Sequence, residues 1–464
     1  MPPRKSTVPA AQTVGKLAPG HRLPSEIVAA HQRERLIIAT MELVERQGYP
    51  ATSAAQVARH ASVSGAAFYK HFANKEECFI AACQEVSSRA GARVIAAYNA
   101  PGLDWRERLR AALDAYLHHA RAWPQGMHIC IADALSAGPR AAQLHDETML
   151  SAQRMIAGCL SQAPDQTPLS PNLARALAGG IARVTYTLIR EDRARELPGL
   201  RDDIEAWMLA CRHPPVGRSG PNGKPRDKAT EQALPGAIPG AIPGASEPEI
   251  ASAAQTPPGT SETPAQNPRA RIVEAVVELA CEEGYVAMTH QQIAARAGMS
   301  YTTFYKHFQN KQDALLGAYD AGAQRIRAAV IAAAAVAPDW TAALREGLGA
   351  ALQTLAGAPA FTRMWAIELP KLGPAAFQRI DASLTNYHAL LDPAYERNPE
   401  LPRMLPDATL GAIVEVIRHY SSQGRETELP TLKDELTFIA LAPLLGPEQA
   451  AQIAGEGTKS KGAR

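Results

Sequence analysis

Two identical pentapeptides, Phe68-Tyr-Lys-His-Phe72 and Phe304-Tyr-Lys-His-Phe308, carry the side chains best suited to chemistry on a polyanion. Each sets a phenol, an ammonium and an imidazole between two phenylalanines, and each is followed shortly by Asn-Lys (Asn74-Lys75, Asn310-Lys311). Tyr and Lys can donate to phosphate oxygens, while short side chains beside them can touch a base edge or a thymine methyl. On a helix the two phenylalanines share one face and plug a core. Gly65, Ala66, Tyr69 and Lys70 then project elsewhere, as do Tyr301, Thr302, Tyr305 and Lys306. Asn74 and Asn310 read as N-caps with Glu77 and Asp313 at the box position, which puts Lys75 and Lys311 at the first helical residue. The helix dipole disfavours an ammonium there, and a docked phosphate would reverse the sign. The plainer reading is an exposed lysine costing about a few tenths of a kcal/mol.

The elements that must position these residues are also written twice. The copies lie 236 residues apart and align without a gap from Arg33/Arg269 to Gln84/Asp320. Leu36, Ile37, Thr40, Leu43 and Val44 form the stripe of a core-facing first helix, and Gly48 (Gly284 in the second copy) follows it, where a positive φ suits glycine. Ser53-Ala-Ala-Gln56 and Thr289-His-Gln-Gln292 read as capping boxes opening a short second helix. After a brief break, Ser64 and Ser300 are good N-caps for a third. Helix, tight turn, helix is the helix-turn-helix layout, whose second helix can lie in the major groove.

The repeat extends further. Asp104-Trp105 matches Asp339-Trp340, and Gly138-Pro139 matches Gly373-Pro374, both 235 residues apart; Glu196–Ile204 resembles Glu428–Leu436 at 232. The expected organisation is all-α: a disordered basic tail (1–24), a helix-turn-helix head (25–84) and a larger helical domain (85–212). A Pro/Gly-rich linker (213–267), a second head (268–320), a second helical domain (321–446) and a disordered tail (447–464) complete it. A flexible linker of that size spans on the order of 40 Å. Leu173–Trp207 and Leu410–Leu445 are expected to form a bundle between the units.

The 464-residue chain has a net charge of only +2, so any nucleic-acid footprint is local: Arg33 to Lys75 holds six Lys/Arg against three acids. Six cysteines, none in a C-x-x-C pair, and no apolar leader predict a soluble chain with reduced thiols in the cytoplasm and no membrane partner. His118, His119, His128, Cys130 and Asp133 match no standard zinc spacing, so no metal and no catalytic residues are expected.

Each head resembles the DNA-binding domain of the tetracycline-repressor (TetR) family. The carriers are Gly48-Tyr49, Thr52, Gln56-Val-Ala58, Ala61-Ser-Val-Ser64 and Phe68–Phe72 with Asn74-Lys75; in the second copy they are Ile293-Ala294, Arg296-Ala-Gly298, Ser300 and Thr303-Phe-Tyr305. The resemblance implies a repressor that binds DNA as a dimer of helical subunits and responds to a small-molecule effector. It marks Ala67, Tyr69, Lys70 and Lys75, with Thr303, Tyr305, Lys306 and Lys311, as DNA-contacting positions; Ser64, Ala66, His71, Ser300, Tyr301, Thr302 and His307 complete the DNA-binding candidates. Effector-lining candidates are Trp105, Tyr116, Trp123, His128 and Tyr186 in the first unit and Trp340, Met364, Trp365 and Tyr387 in the second.

Two units in one chain point to a covalent pseudo-dimer on an operator with unequal half-sites, since Gly65-Ala-Ala67 and Tyr301-Thr-Thr303 differ where bases would be read. A homodimer of tandem chains with four heads stays open, as does a helical small-molecule-binding protein whose heads no longer read DNA specifically. Sequence-indifferent DNA compaction is disfavoured by the small charge excess.

Overall fold

The computed structural model describes residues 24–164, 169, 170, 172–212 and 267–459, so the expected N-terminal tail and nearly all of the linker lie outside the described residues. Among the described residues every regular element is helical. The fold is all-α, as two tandem units, each a three-helix head on a larger helical body.

The first head comprises α1 (Ser25–Gln47), α2 (Ala54–His60) and α3 (Gly65–His71), and the second α10 (Pro268–Glu282), α11 (His290–Arg296) and α12 (Tyr301–His307). The caps form as their sequences predict. Ser53 with Gln56 and Thr289 with Gln292 close reciprocal capping boxes, and Ser64 and Ser300 accept from the amides of Ala67 and Thr303 at 3.1 Å. Phe68, Phe72, Phe304 and Phe308 are buried. The turn between the second and third helices needs a left-handed residue: Gly298 (φ 63°) supplies it in the second head, whereas Ser62 (φ 51°) occupies the same place in the first.

Each third helix leads through an Asn cap into a long helix shared with the body, α4 (Lys75–Tyr98) and α13 (Lys311–Ala335). The first body adds α5 (Trp105–Ala122), α6 (Pro124–Ile131), α7 (Pro139–Leu160), α8 (Leu173–Arg190) and α9 (Arg201–Ala210). The second adds α14 (Trp340–Ala356), α15 (Pro359–Arg363), α16 (Pro374–Thr385), α17 (Asp392–Arg397), α18 (Leu405–Ser422), α19 (Lys433–Leu445) and α20 (Pro447–Lys459). Asp104 and Asp339, two of the repeated landmarks, cap α5 and α14. The expectation of a disordered tail from 447 is corrected by α20: Ala450 and Ala454, one turn apart, are buried where this helix packs on α19 and α14.

The most extensive packing between helices joins α8 of the first unit to α18 of the second, with α9 lying on α19. The α8–α18 pair runs antiparallel, since Arg175 meets Glu415 while Thr187 meets Asp407. The backbones cross at glycine. A Cβ on Gly179 would lie 2.8 Å from the Gly411 carbonyl oxygen, and one on Gly411 would lie 2.8 Å from that of Gly179. No helix among the described residues is long and apolar enough to cross a membrane.

Candidate nucleic-acid interface and effector cavity

The outward face of α3 presents Ala66, Tyr69 and Lys70, and that of α12 presents Tyr301, Thr302, Tyr305, Lys306 and His307. The N-caps Ser64 and Ser300 lie exposed at the helix starts, while Ala67, Thr303 and His71 are half-buried. His71 faces Gln32 at 3.3 Å, and burial, then Arg33 and Lys70, hold its imidazole below the ordinary range, which favours the uncharged ring.

The two faces differ in build. In the second head Tyr301 and Tyr305 share a hydroxyl–hydroxyl hydrogen bond of 3.1 Å, and His290 stacks on Tyr305 with ring centres 5.7 Å apart. His290 is in turn held by the Lys311 amide, which donates to its Nε2 at 3.0 Å. The first head has Ala54 and Gly65 in place of His290 and Tyr301, and Tyr69 stands 63% exposed. His290 was missed in the sequence because its place in a capping box explained it fully; only the fold brings it under Tyr305.

Lys75 and Lys311, expected at a phosphate, each donate to backbone carbonyls of their own head. The Lys75 ammonium donates to the carbonyls of Tyr49 (3.1 Å) and Thr52 (2.9 Å) and sits 4.3 Å from the centre of the Tyr49 ring. Lys311 donates to Tyr285, Val286 and Met288 at 3.0–3.1 Å, with the Tyr285 ring 4.7 Å away. These carbonyls belong to the loop after the first helix, so each lysine ties that loop to the long helix instead of facing outward. Burial lowers both ammonium groups from their ordinary range.

Two cavities among the described residues are lined by effector candidates. One, of about 140 Å³, lies inside the second unit; it is lined almost wholly by apolar side chains from α13, α14, α16 and α18, with Trp365 and Tyr387 among them and the hydroxyls of Tyr319, Ser383 and Thr409 as polar points. Burial pushes the Tyr319 phenol up to about 12, so it stays a neutral donor. In the first unit Tyr116 stands where the register of the repeat places Ala351, and Met208 stands in the place of Ala440. Tyr116 donates to Thr185 Oγ1 at 3.3 Å and Met208 is fully buried, so larger side chains occupy the corresponding space. The second cavity, of about 160 Å³, lies between the units, with Tyr186 and Arg183 on one side and Trp365, Phe377 and Asp381 on the other.

The remaining effector candidates do not converge on either cavity. Trp105 lies under Arg212 and Trp123 under Arg89 against His119. Trp340 faces Arg397 at a separate surface recess, Met364 is fully buried, and His128 faces Asp133 at 3.3 Å. Aromatic type alone selected them, and in these helices the tryptophans at the helix starts and ends cover the bundle edge.

Trp365 lies on a π-helical turn, Met364–Glu368, that the first unit lacks. Such turns mark local irregularity that packing must sustain. The Glu368 carboxylate at its end accepts from the Tyr285 amide at 2.9 Å and from Lys371 at 2.6 Å, linking the cavity wall to the loop of the second head. The first head's loop touches the second unit as well: a Cβ on Gly48 would meet Pro374 at 2.7 Å, at the start of the cavity-lining helix α16.

The model of the bacterial regulatory proteins of the tetR family matches residues 36–82 and, separately, residues 272–318. Both heads are TetR-type DNA-binding domains. Each match spans a helix-turn-helix and the start of the long helix behind it, so the chain carries two heads of the tetR-family type. A curated relative, the HTH-type transcriptional activator FasR of Mycolicibacterium smegmatis, is 25% identical over 171 residues, 37% of this chain and 74% of that protein. Among solved structures, the fatty acid degradation regulator FadR of Bacillus halodurans is 17% identical, covering 38% of this chain and 94% of its own, with a TM-score of 0.34. FadR of Bacillus subtilis, solved with stearoyl-CoA, is 20% identical over 38% of this chain and 97% of its own, at 0.33.

Proposed function

We propose that this TetR-family regulator is a ligand-responsive repressor in which one chain acts as its own dimer, setting both heads on one operator with unequal half-sites. The observation that carries the reading is the α8–α18 contact, which joins the two units through their own closing helices. The unequal half-sites rest on the contrast between the Tyr301–Tyr305–His290 cluster and the barer face around Tyr69. Lys70 and Lys306 bind phosphate in this reading, while Thr302, Thr303, Ala66 and Ala67 lie close to bases.

The effector is an apolar small molecule taken into the second unit, where the cavity is open and the hydroxyls of Tyr319, Ser383 and Thr409 can orient it. Its wall reaches the second head through Glu368 and the first through Pro374, so one bound molecule addresses both heads. Selection of sites from a randomised duplex pool tests the DNA reading. One composite site with two different halves is the expected result; a symmetric site would overturn the unequal heads, and no enrichment would favour a small-molecule-binding protein without specific DNA reading. A reporter driven from the selected site, falling when the protein is expressed, tests repression, and a rise would make the protein an activator.

A further inference from the structure

Charge is divided unequally across the α8–α18 interface. Every charged residue of α8 is an arginine: Arg175, Arg183 and Arg190. Facing them on α18 are Asp407 and Glu415, the latter also paired within its own helix to Arg418 at 2.9 Å. Arg175 binds Glu415 at 2.7 Å and Arg183 binds Asp407 at 3.0 Å, and all four side chains are mostly buried. The register of the repeat makes the division informative. Gly179 and Gly411, at the crossing, are 232 residues apart; so are Arg175 and Asp407, and so are Arg183 and Glu415. The two ion pairs are therefore the two halves of one pseudo-twofold contact, with both cations on the first unit and both anions on the second.

We propose that this interface is a charge-matched lock whose only fitting partner for the first unit is the second, so that neither unit pairs with a copy of itself. In a contact of first unit with first unit, Arg175 would face Arg183 at both ends of the crossing. With second units alone, Asp407 would face Glu415 at both ends. Close backbone approach at Gly179 and Gly411 leaves no room for these side chains to move apart, and buried like charges are costly where water is excluded. The surrounding charges do not undo the rule. Asp146 and Asp381 hold equivalent places, 235 apart, and so are common to both units; Asp146 binds Arg418 at 2.8 Å, while Asp381 binds Arg183 and Arg190. Like-with-like contacts then keep an excess of arginines in one case and of carboxylates in the other. Attraction selects the intended pair and repulsion rejects the alternatives, which is how specific helix pairing is set when two similar surfaces compete.

The inference rests on the reading of the chain as its own dimer, which the mass of the native protein tests separately: 49.5 kDa supports pairing within the chain. Charge reversal then tests the lock without reference to DNA. Arg175→Glu with Arg183→Glu makes the four facing positions all acidic, and Asp407→Arg with Glu415→Arg makes them all basic. Each variant alone is expected to show a larger Stokes radius and a lower Tm than the native chain. An equimolar mixture of the two is expected to form a species of twice the native mass, which neither forms alone. Joining all four changes in one chain should recover compactness and Tm beyond the sum of the two defects. Where the double reversals are insoluble, the single exchange of Arg175→Glu with Glu415→Arg carries the same expectation of recovery. One-sided variants that self-associate as readily as they pair with each other, or a combined variant as defective as the sum of its parents, would overturn the lock.

Discussion

Ser62 and Lys311 show how far single residues carry the heads. Ser62 holds the left-handed turn that Gly298 holds in the second copy, and a side chain in that region costs about 1 kcal/mol. Ser62→Gly is expected to stabilise the first head by roughly that amount, read as slower amide hydrogen exchange in α2 and α3 with no change in the second head. Lys311→Met removes a cation from three loop carbonyls and should cost the second head about 1.5 kcal/mol. Its operator binding should keep its salt dependence, whereas Lys306→Ala should lower the slope of log K against log salt by about 1. The opposite pattern would return Lys311 to the phosphate backbone. Both lysines were visible in the sequence as helix-start cations, but a chain of letters does not show that the preceding loop folds back over them.

At the scale of the elements, the π-helical turn and the α4–α5 contact each make a prediction. Glu368→Gln keeps an acceptor for the Tyr285 amide but loses the charge shared with Lys371. It is expected to leave effector affinity unchanged while reducing effector-driven release from the operator several-fold, as seen by comparing calorimetric titration with operator binding. Loss of both together would assign Glu368 to the cavity itself. His119 is fully buried; burial, then Arg93 and Arg89, hold its imidazole down at about 4 against an ordinary 6.5. A folded value below the unfolded one means that the unfolded chain takes up the proton first. The stability this residue contributes is therefore whole above about 6.5 and is lost as pH falls towards about 4. Thermal melts of the native chain and His119→Leu across that range should differ in slope, the variant being the flatter.

For the molecule as a whole, the paired units set acid stability and ligand stoichiometry. Burial raises the Glu415 carboxyl, but Arg418 and Arg175 outweigh it and hold the group at about 2 against an ordinary 4.5. Because the folded value is the lower, its contribution is complete above about 4.5 and disappears as pH falls towards about 2. Dissociation of the units should precede melting of the bodies in that window, measured as a growing Stokes radius before helical signal is lost. Arg175→Ala at neutral pH is expected to cost about 3 kcal/mol, since it leaves a buried carboxylate with one partner fewer. Calorimetric titration with an apolar effector should give one site per chain, and Ala351→Tyr in the second unit should abolish it by imitating Tyr116 of the first.

The local structure of the heads was determined by the sequence alone. Capping boxes at Ser53 and Thr289, serine caps at Ser64 and Ser300, paired phenylalanines and a positive-φ glycine each act within a few residues, so short-range pattern is enough to specify them. The bundle-forming stretches around α8 and α18 were expected from their place in the repeat, as the helical segments that close each unit. Only the tertiary structure decided where the remaining side chains point. Lys75 turns inward, α20 docks through two alanines, His290 reaches Tyr305, and the tryptophans expected to line a pocket divide between bundle edge and cavity. The pairing of Arg175 with Glu415 and of Arg183 with Asp407 joins residues more than 220 apart, and no local rule links them. Their meeting is set by the close crossing of two helices at Gly179 and Gly411, a property of the assembled backbones and not of either segment.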